Sequence, residues 1–248
     1  MYRPDFQPPR RMSLAHDILR LPRRAGAWRW ILYAALVLLV LPYALTLAYA
    51  VVNPPSTLML WRQVTGQRVV QTWVPLEKID PGLALSVVVA EDGRFCSHFG
   101  VDLTEIQNAL DDAEGFDDVR GGSTITQQVA KNLFLWQGRS FVRKALEVPL
   151  ALWIDLVLSK RRILEIYLNI AEMGPDGEFG VDEASRRAFG RPADGLSRYQ
   201  AALLAATLPN PVTRDAKRPG PGLRRLAGLY QRRAGGAPEA AACLRPPR

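Results

Sequence analysis

Apolar positions along the chain form one long block followed by several short periodic ones. No charged residue occurs between Trp30 and Trp61, and Trp30 to Val52 supplies 23 mostly apolar positions. As helix these span about 34 Å at 1.5 Å per residue, enough to cross a bilayer. Pro42 is placed to kink this helix, and Trp28, Trp30, Tyr33 and Tyr49 suit its interfacial ends. A cleaved signal peptide is the rival reading, because Ala48-Tyr49-Ala50 has a small-x-small form. The apolar run is longer than the roughly 7 to 15 residues of such a peptide, which favours a retained anchor.

The pattern then changes. Residues 53–75 hold Pro54, Pro55 and Gly66 around short apolar runs, predicting a linker with a short hairpin. Beyond Pro75 the periodicity is helical: Leu83 to Glu91 after the Pro81-Gly82 start, and Leu103 to Leu110 with Asp102 as N-cap. The spacing Thr124-Ile125-Thr126-Gln127 predicts a capping box at the start of the next helix. Phe141 to Leu158, Arg162 to Glu172, Asp182 to Phe189 and Ser197 to Leu208 complete the series, with Ile163, Ile166, Tyr167 and Ile170 on one face of the second. Asp111 to Arg120 is acidic and predicts a mobile loop, while 211–248, rich in Pro, Gly and Arg, predicts one helix at Leu223 to Ala234 and a disordered end. No strong alternating series occurs, so the predicted fold is mainly α.

Composition changes the picture only when read by segment. The net charge of +8 for 248 residues raises nucleic acid or an anionic membrane as partner. Residues 1–29 carry seven Arg against two Asp, and residues 211–248 carry nine basic against two acidic residues. Residues 30–210 are therefore net acidic, which argues against nucleic acid. The Arg arm precedes the apolar block, so the positive-inside rule puts residues 1–29 in the cytoplasm and the remainder across the membrane. Two cysteines, Cys96 and Cys243, and two histidines, His16 and His98, cannot build a zinc cluster or a disulfide framework. A single bridge stays open, with Cys243 in a stretch expected to be loose.

Three polar segments stand out as candidate chemistry. Glu91 and Asp92 emerge from an apolar helix, followed by Phe95 and His98; a desolvated carboxylate there has the raised pKa of a general base, although a solvated helix end fits the spacing as well. Gly121-Gly122-Ser123-Thr124 opens the helix carrying Gln127, Gln128, Lys131 and Asn132, and favours an anion at exposed N–H groups or is simply a capped helix. Arg143 and Lys144 lie on the helix face of Glu147 as a phosphate-holding set or a surface ion-pair cluster.

In this order the segments resemble the peptidoglycan glycosyltransferase family (glycosyltransferase family 51), from about Val74 to Pro211. EDGRFCSHFGVD is similar to the first family signature, GGSTITQQVAKNLF to the second, RKALE to the third and SKRRILEIYLNIAEMG to the fourth, with FGVDEASRRAFG and LSRYQAALLAATLPNP continuing the match. The chain has no Ser-x-x-Lys or Lys-Thr-Gly of a transpeptidase, so it resembles the monofunctional, membrane-anchored form.

The resemblance implies a lysozyme-like domain at 76–211, after a cytoplasmic arm at 1–29, a transmembrane helix at 30–52 and a linker at 53–75, and before a basic tail at 212–248. It implies polymerisation of lipid II into glycan strands through β-1,4 bonds, with release of undecaprenyl diphosphate, on the periplasmic face of the inner membrane. Glu91 matches the general base, supported by Asp92, Phe95 and His98, and Glu147 the second catalytic carboxylate. Lys131, Arg143 and Lys144 match diphosphate-binding positions; Ser123, Thr124, Gln127, Gln128 and Asn132 match donor-site and structural positions. The expected partners are lipid II, the growing glycan, the membrane and cell-wall synthesis or division proteins, not nucleic acid. No resident cofactor is expected beyond a divalent cation (Mg or Mn) on the diphosphate. Pro149, two residues after Glu147, departs from the family pattern and is expected to bend its helix. The rival readings are a lytic, lysozyme-like muramidase and a non-enzymatic assembly scaffold; the cations disfavour the first and the two Glu residues the second.

Overall fold

The computed structural model describes residues 26–111, 121–138 and 140–245. The basic arm up to residue 25, His16 included, nearly all of the predicted acidic loop and the last three residues lie outside this description.

The chain divides into two units, Met1–Leu41 and Pro42–Arg248. The described part of the first is the start of helix α1 (Ala27–Ala48), whose stretch Trp28–Ala48 is long and apolar enough to cross a membrane. Pro42 sits inside the helix without ending it.

The second unit is mainly helical, in agreement with the sequence pattern. Helix α2 (Thr57–Val64) is capped by Ser56, whose hydroxyl accepts the Met59 N–H. Strand β1 (Val70–Gln71) pairs in parallel with β2 (Glu178–Phe179), Val70 opposite Glu178. The hairpin predicted within 53–75 is therefore absent: Thr57–Val64 of that segment is helix, and its strand finds a partner far along the chain. Gly177, at φ +84°, makes the pairing possible, because a Cβ there would lie 2.1 Å from the Arg68 carbonyl. Asn169 completes the attachment, accepting from Val74 N at 2.7 Å and donating to Val74 O at 2.8 Å.

Helix α3 (Pro81–Glu91) is apolar on nearly all sides and capped by Asp80, whose Oδ1 accepts the Gly82 and Leu83 N–H groups. An apolar helix without a polar face must be covered all round, and α9 (Arg198–Thr207) and α10 (Pro221–Gly236) pack on it. Buried Ala201, Ala202, Ala205 and Ala206 give α9 the small side chains that such close packing needs. Helix α4 (Leu103–Asp111) starts at Asp102, which caps Thr104 and Glu105. Helix α5 (Ile125–Phe134) packs against α6 (Phe141–Val157) and α7 (Lys160–Ile170), and α8 (Val181–Phe189) follows β2.

Helix α6 continues through Pro149, which costs the Ala145 carbonyl its intrahelical donor but does not end the helix. One expectation about the C-terminus is corrected. The C-terminal stretch is not loose through residue 245. Leu223, Ala227 and Tyr230 of α10 are buried, and a 3₁₀ helix at Pro238–Leu244 follows. A disulfide joins Cys243 to Cys96, with Cα atoms 5.5 Å apart, and Arg161 donates to the Leu244 carbonyl.

The segment that leaves α1 is held by the same unit. Trp153 Nε1 donates to Tyr43 O at 3.0 Å, Tyr49 stacks on Phe134, and the Arg162 guanidinium donates to Tyr49 O, Val52 O and Asn53 Oδ1.

Candidate active site

Glu91 is the last residue of α3, so its backbone is anchored by a buried helix while its carboxyl group leaves the core. Gln128 Nε2, on α5, donates to Glu91 Oε2 at 2.9 Å. The other oxygen, Oε1, is buried and has no hydrogen-bond partner among the described residues. Burial pushes the Glu91 carboxyl above the usual carboxylate range, opposed by the Gln128 bond and by the charges of Lys131 and Arg214.

Asp92, the next residue, turns the other way. Its carboxylate accepts the Ile125 N–H at 2.9 Å, at the first turn of α5, and meets His98 Nε2 at 2.9 and 3.0 Å. Phe95 is fully buried, with His98 edge-on to its ring and Lys160 Nζ 4.6 Å from the ring centroid. Phe95 and His98 thus shape the loop that follows Glu91 and do not face open solvent.

The same loop is fastened to α5 through Thr124. The predicted capping box is present: Thr124 Oγ1 accepts the Gln127 N–H, and Gln127 Oε1 accepts the Thr124 N–H. The Thr124 hydroxyl also donates to Gly100 O at 2.6 Å. Gly100 has φ +68°, and a Cβ on it would lie 2.7 Å from the Ala151 carbonyl of α6. Only glycine lets the loop approach α6 that closely. Its N–H donates to Asp155, which also pairs with Lys160 at 2.6 Å. Gln127 is fully buried in this capping role and does not open onto the site.

The cations form the other side. Glu147 is 3% exposed and pairs with Arg143 and, at 3.4 Å, with Lys144. Lys144 Nζ donates to Ser123 Oγ at 2.6 Å, tying α6 to the glycine turn before α5. Burial lowers the pKa of Lys131, Arg143 and Lys144; for Lys131 the nearby Arg143 lowers it further and Glu91 opposes this. The Lys131 charge is thus felt by both Glu91 and Arg143. Gln128, Lys131 and Asn132 line a cavity of about 230 Å³ together with Tyr167 and Glu172.

Four residues outside the sequence-based set belong to these surroundings. The Tyr167 hydroxyl donates to Gln128 Oε1 at 3.0 Å. Tyr167 is visible in the sequence as part of a helical apolar face and so reads as core. Arg214 and Tyr230 interact with the Glu91 charge from the stretch expected to be a basic tail. Glu172 faces the cavity and is paired with Arg62.

This arrangement can take up a proton at a desolvated carboxylate and steady an anion at a cationic patch on the neighbouring helix. Such a pairing suits group transfer with an anionic leaving group. The transglycosylase family model matches residues 59–232. A biosynthetic peptidoglycan transglycosylase of Nitrobacter hamburgensis is 59% identical over 212 residues, 86% of this chain and 93% of the relative. A Rhodopseudomonas palustris protein of the same name is 57% identical over 221 residues, 89% and 94% of the two chains. A Rhizobium johnstonii protein of that name is 52% identical over 216 residues, 86% and 88% of the two chains. The chain belongs to the transglycosylase family and is a peptidoglycan glycosyltransferase built on that family's lysozyme-like helical domain.

Proposed function

We propose that the protein polymerises lipid II, with Glu91 as general base. Glu91 takes the proton of the acceptor 4-hydroxyl as that oxygen attacks the anomeric carbon of the donor. The bond from this carbon to the diphosphate breaks, and undecaprenyl diphosphate leaves carrying the negative charge. Lys131, Arg143 and Lys144 stabilise that charge as it develops. Glu147 holds Arg143 and Lys144 in position on the donor side. The observation that carries the reading is the buried Glu91 carboxyl with its free Oε1, bonded to the same helix that bears Lys131.

A muramidase would use its carboxylates without needing cations for a diphosphate, so the Lys131–Arg143–Lys144 set favours transfer. The donor set does not suit a resident metal ion: Glu147, the carboxylate beside the cations, is already engaged by Arg143 and Lys144. A divalent cation would instead arrive on the diphosphate.

The protein is proposed to be a single-pass protein of the inner membrane, its basic arm cytoplasmic and its catalytic domain periplasmic. The Arg-rich segment before α1 supports this orientation, and the Cys96–Cys243 bridge suits an oxidising compartment.

The test is lipid II polymerisation in detergent by the wild type and Glu91→Gln. Glycan strands from the first and a loss of at least 100-fold in the second are expected, on the order of what a general base contributes. Undiminished polymerisation by the variant overturns the base assignment, and cleavage of finished glycan without synthesis favours the muramidase.

A further inference from the structure

Among the described residues the Glu91 carboxylate is served by one neutral donor, Gln128, and a glutamine side chain is an ambiguous donor. Turned over about its last bond, Gln128 would present Oε1 instead of its amide N–H to Glu91, placing two acceptors face to face. That orientation suits only a protonated Glu91. Lys131 and Arg214 act on Glu91 by charge, and neither determines which way the amide faces.

The structure contains a group that does. Tyr167, on α7, is almost fully buried, and among the described residues its hydroxyl bonds only to Gln128 Oε1. With the amide as found, Tyr167 O–H donates to Oε1 and Gln128 N–H donates to Glu91, so every member of the chain is matched. With the amide reversed, the Tyr167 hydroxyl would lose Gln128 Oε1 as its acceptor and face a second donor, and Glu91 would lose its donor. Each loss carries the cost of an unmade buried hydrogen bond.

We propose that Tyr167 is a positioning residue for the general base: its hydroxyl holds the Gln128 amide in the one orientation that supports ionised Glu91. The inference rests on the reading of Glu91 as base. Among the described residues Tyr167 makes no hydrogen bond to Glu91, and it acts through Gln128.

The other groups bearing on Glu91 are Asp92 on its own helix boundary, Lys131 from α5, Arg214 from the segment after α9, and Tyr230 from α10. Tyr167→Phe leaves all of them in place. It keeps the ring that fills the core and removes only the donor. Ionised Glu91 then loses its secured partner, the protonated form gains ground, and a base that works ionised needs higher pH.

The experiment is the pH profile of lipid II polymerisation for wild type, Tyr167→Phe, Gln128→Met and the double variant. Tyr167→Phe should move the acid limb to higher pH with KM unchanged. The loss, on the order of three- to tenfold on the acid side, is what about one hydrogen bond is worth, and it should close as pH rises. Gln128→Met should shift the limb in the same direction, and adding Tyr167→Phe to it should shift it no further. A pH-independent loss or no loss in Tyr167→Phe overturns the positioning role. A further shift in the double variant overturns the route through Gln128. Glu91→Gln measured alongside separates these outcomes from failure of the base assignment, since polymerisation by that variant would remove the base itself.

Discussion

The Asp92 carboxylate accepts the Ile125 backbone N–H at 2.9 Å, joining the end of α3 to the beginning of α5. Glu91 and Gln128 sit on either side of that joint, so their 2.9 Å contact depends on it. Asp92→Ala removes an ionised acceptor from a buried N–H and from His98 together. It should cost about 1.5–3 kcal/mol of stability and lower turnover, whereas Asp92→Asn, which keeps an acceptor for Ile125, should cost less. Denaturant unfolding of both variants checks this; equal stability of Asp92→Ala and wild type would show that the joint is held by something else.

Arg143 and Glu147 form a pair in which both side chains are largely buried. Arg143→Ala leaves the Glu147 carboxylate with Lys144 at 3.4 Å as its remaining cation. Removing one member of a buried pair costs about 3–5 kcal/mol where nothing replaces it, and Lys144 should hold the loss toward the lower end. Adding Glu147→Gln to Arg143→Ala should recover part of the stability but none of the polymerisation, because the diphosphate clamp is still incomplete. Recovery of both would mean that the cluster serves folding alone.

Cys96 and Cys243 are separated by 147 residues, and their bridge closes most of the second unit into one loop. Replacing both by Ser should destabilise the protein by about 2–5 kcal/mol and release the 3₁₀ helix at Pro238–Leu244 from the loop after Glu91. At 25 °C polymerisation should persist, since Asp92, His98 and Thr124 still hold that loop. Thermal unfolding with and without a thiol reductant reads this directly; identical curves for the wild type under the two conditions would contradict it.

The helices and their caps are legible in the sequence because their signals are local: Asp102, Thr124 and Ser197 sit where the apolar periodicity begins, and each caps the predicted helix. The carboxylates and cations are legible as short motifs for the same reason. What escapes is long-range. Strand β1 has only two residues, and its partner follows helices α3 to α7. Cys243 reads as loose because nothing within its own segment reveals Cys96. Tyr167 falls on an apolar helix face, and its hydroxyl becomes informative only once α5 is laid against α7. At Pro149 the missing N–H is legible in the sequence, whereas the burial of Leu150, Ala151 and Ile154, where the helix continues into the core, is not.

Helix α5 bears Gln128 and Lys131 three residues apart, about 4.5 Å along its axis. In the proposed reaction one of these residues attends the group that gains a proton and the other the group that departs with charge. The spacing between bond making and bond breaking is then set by the pitch of a rigid rod and not by the closure of a loop. A polymerase that repeats one step many times has in α5 a gauge of fixed length, against which every successive sugar is measured in the same way.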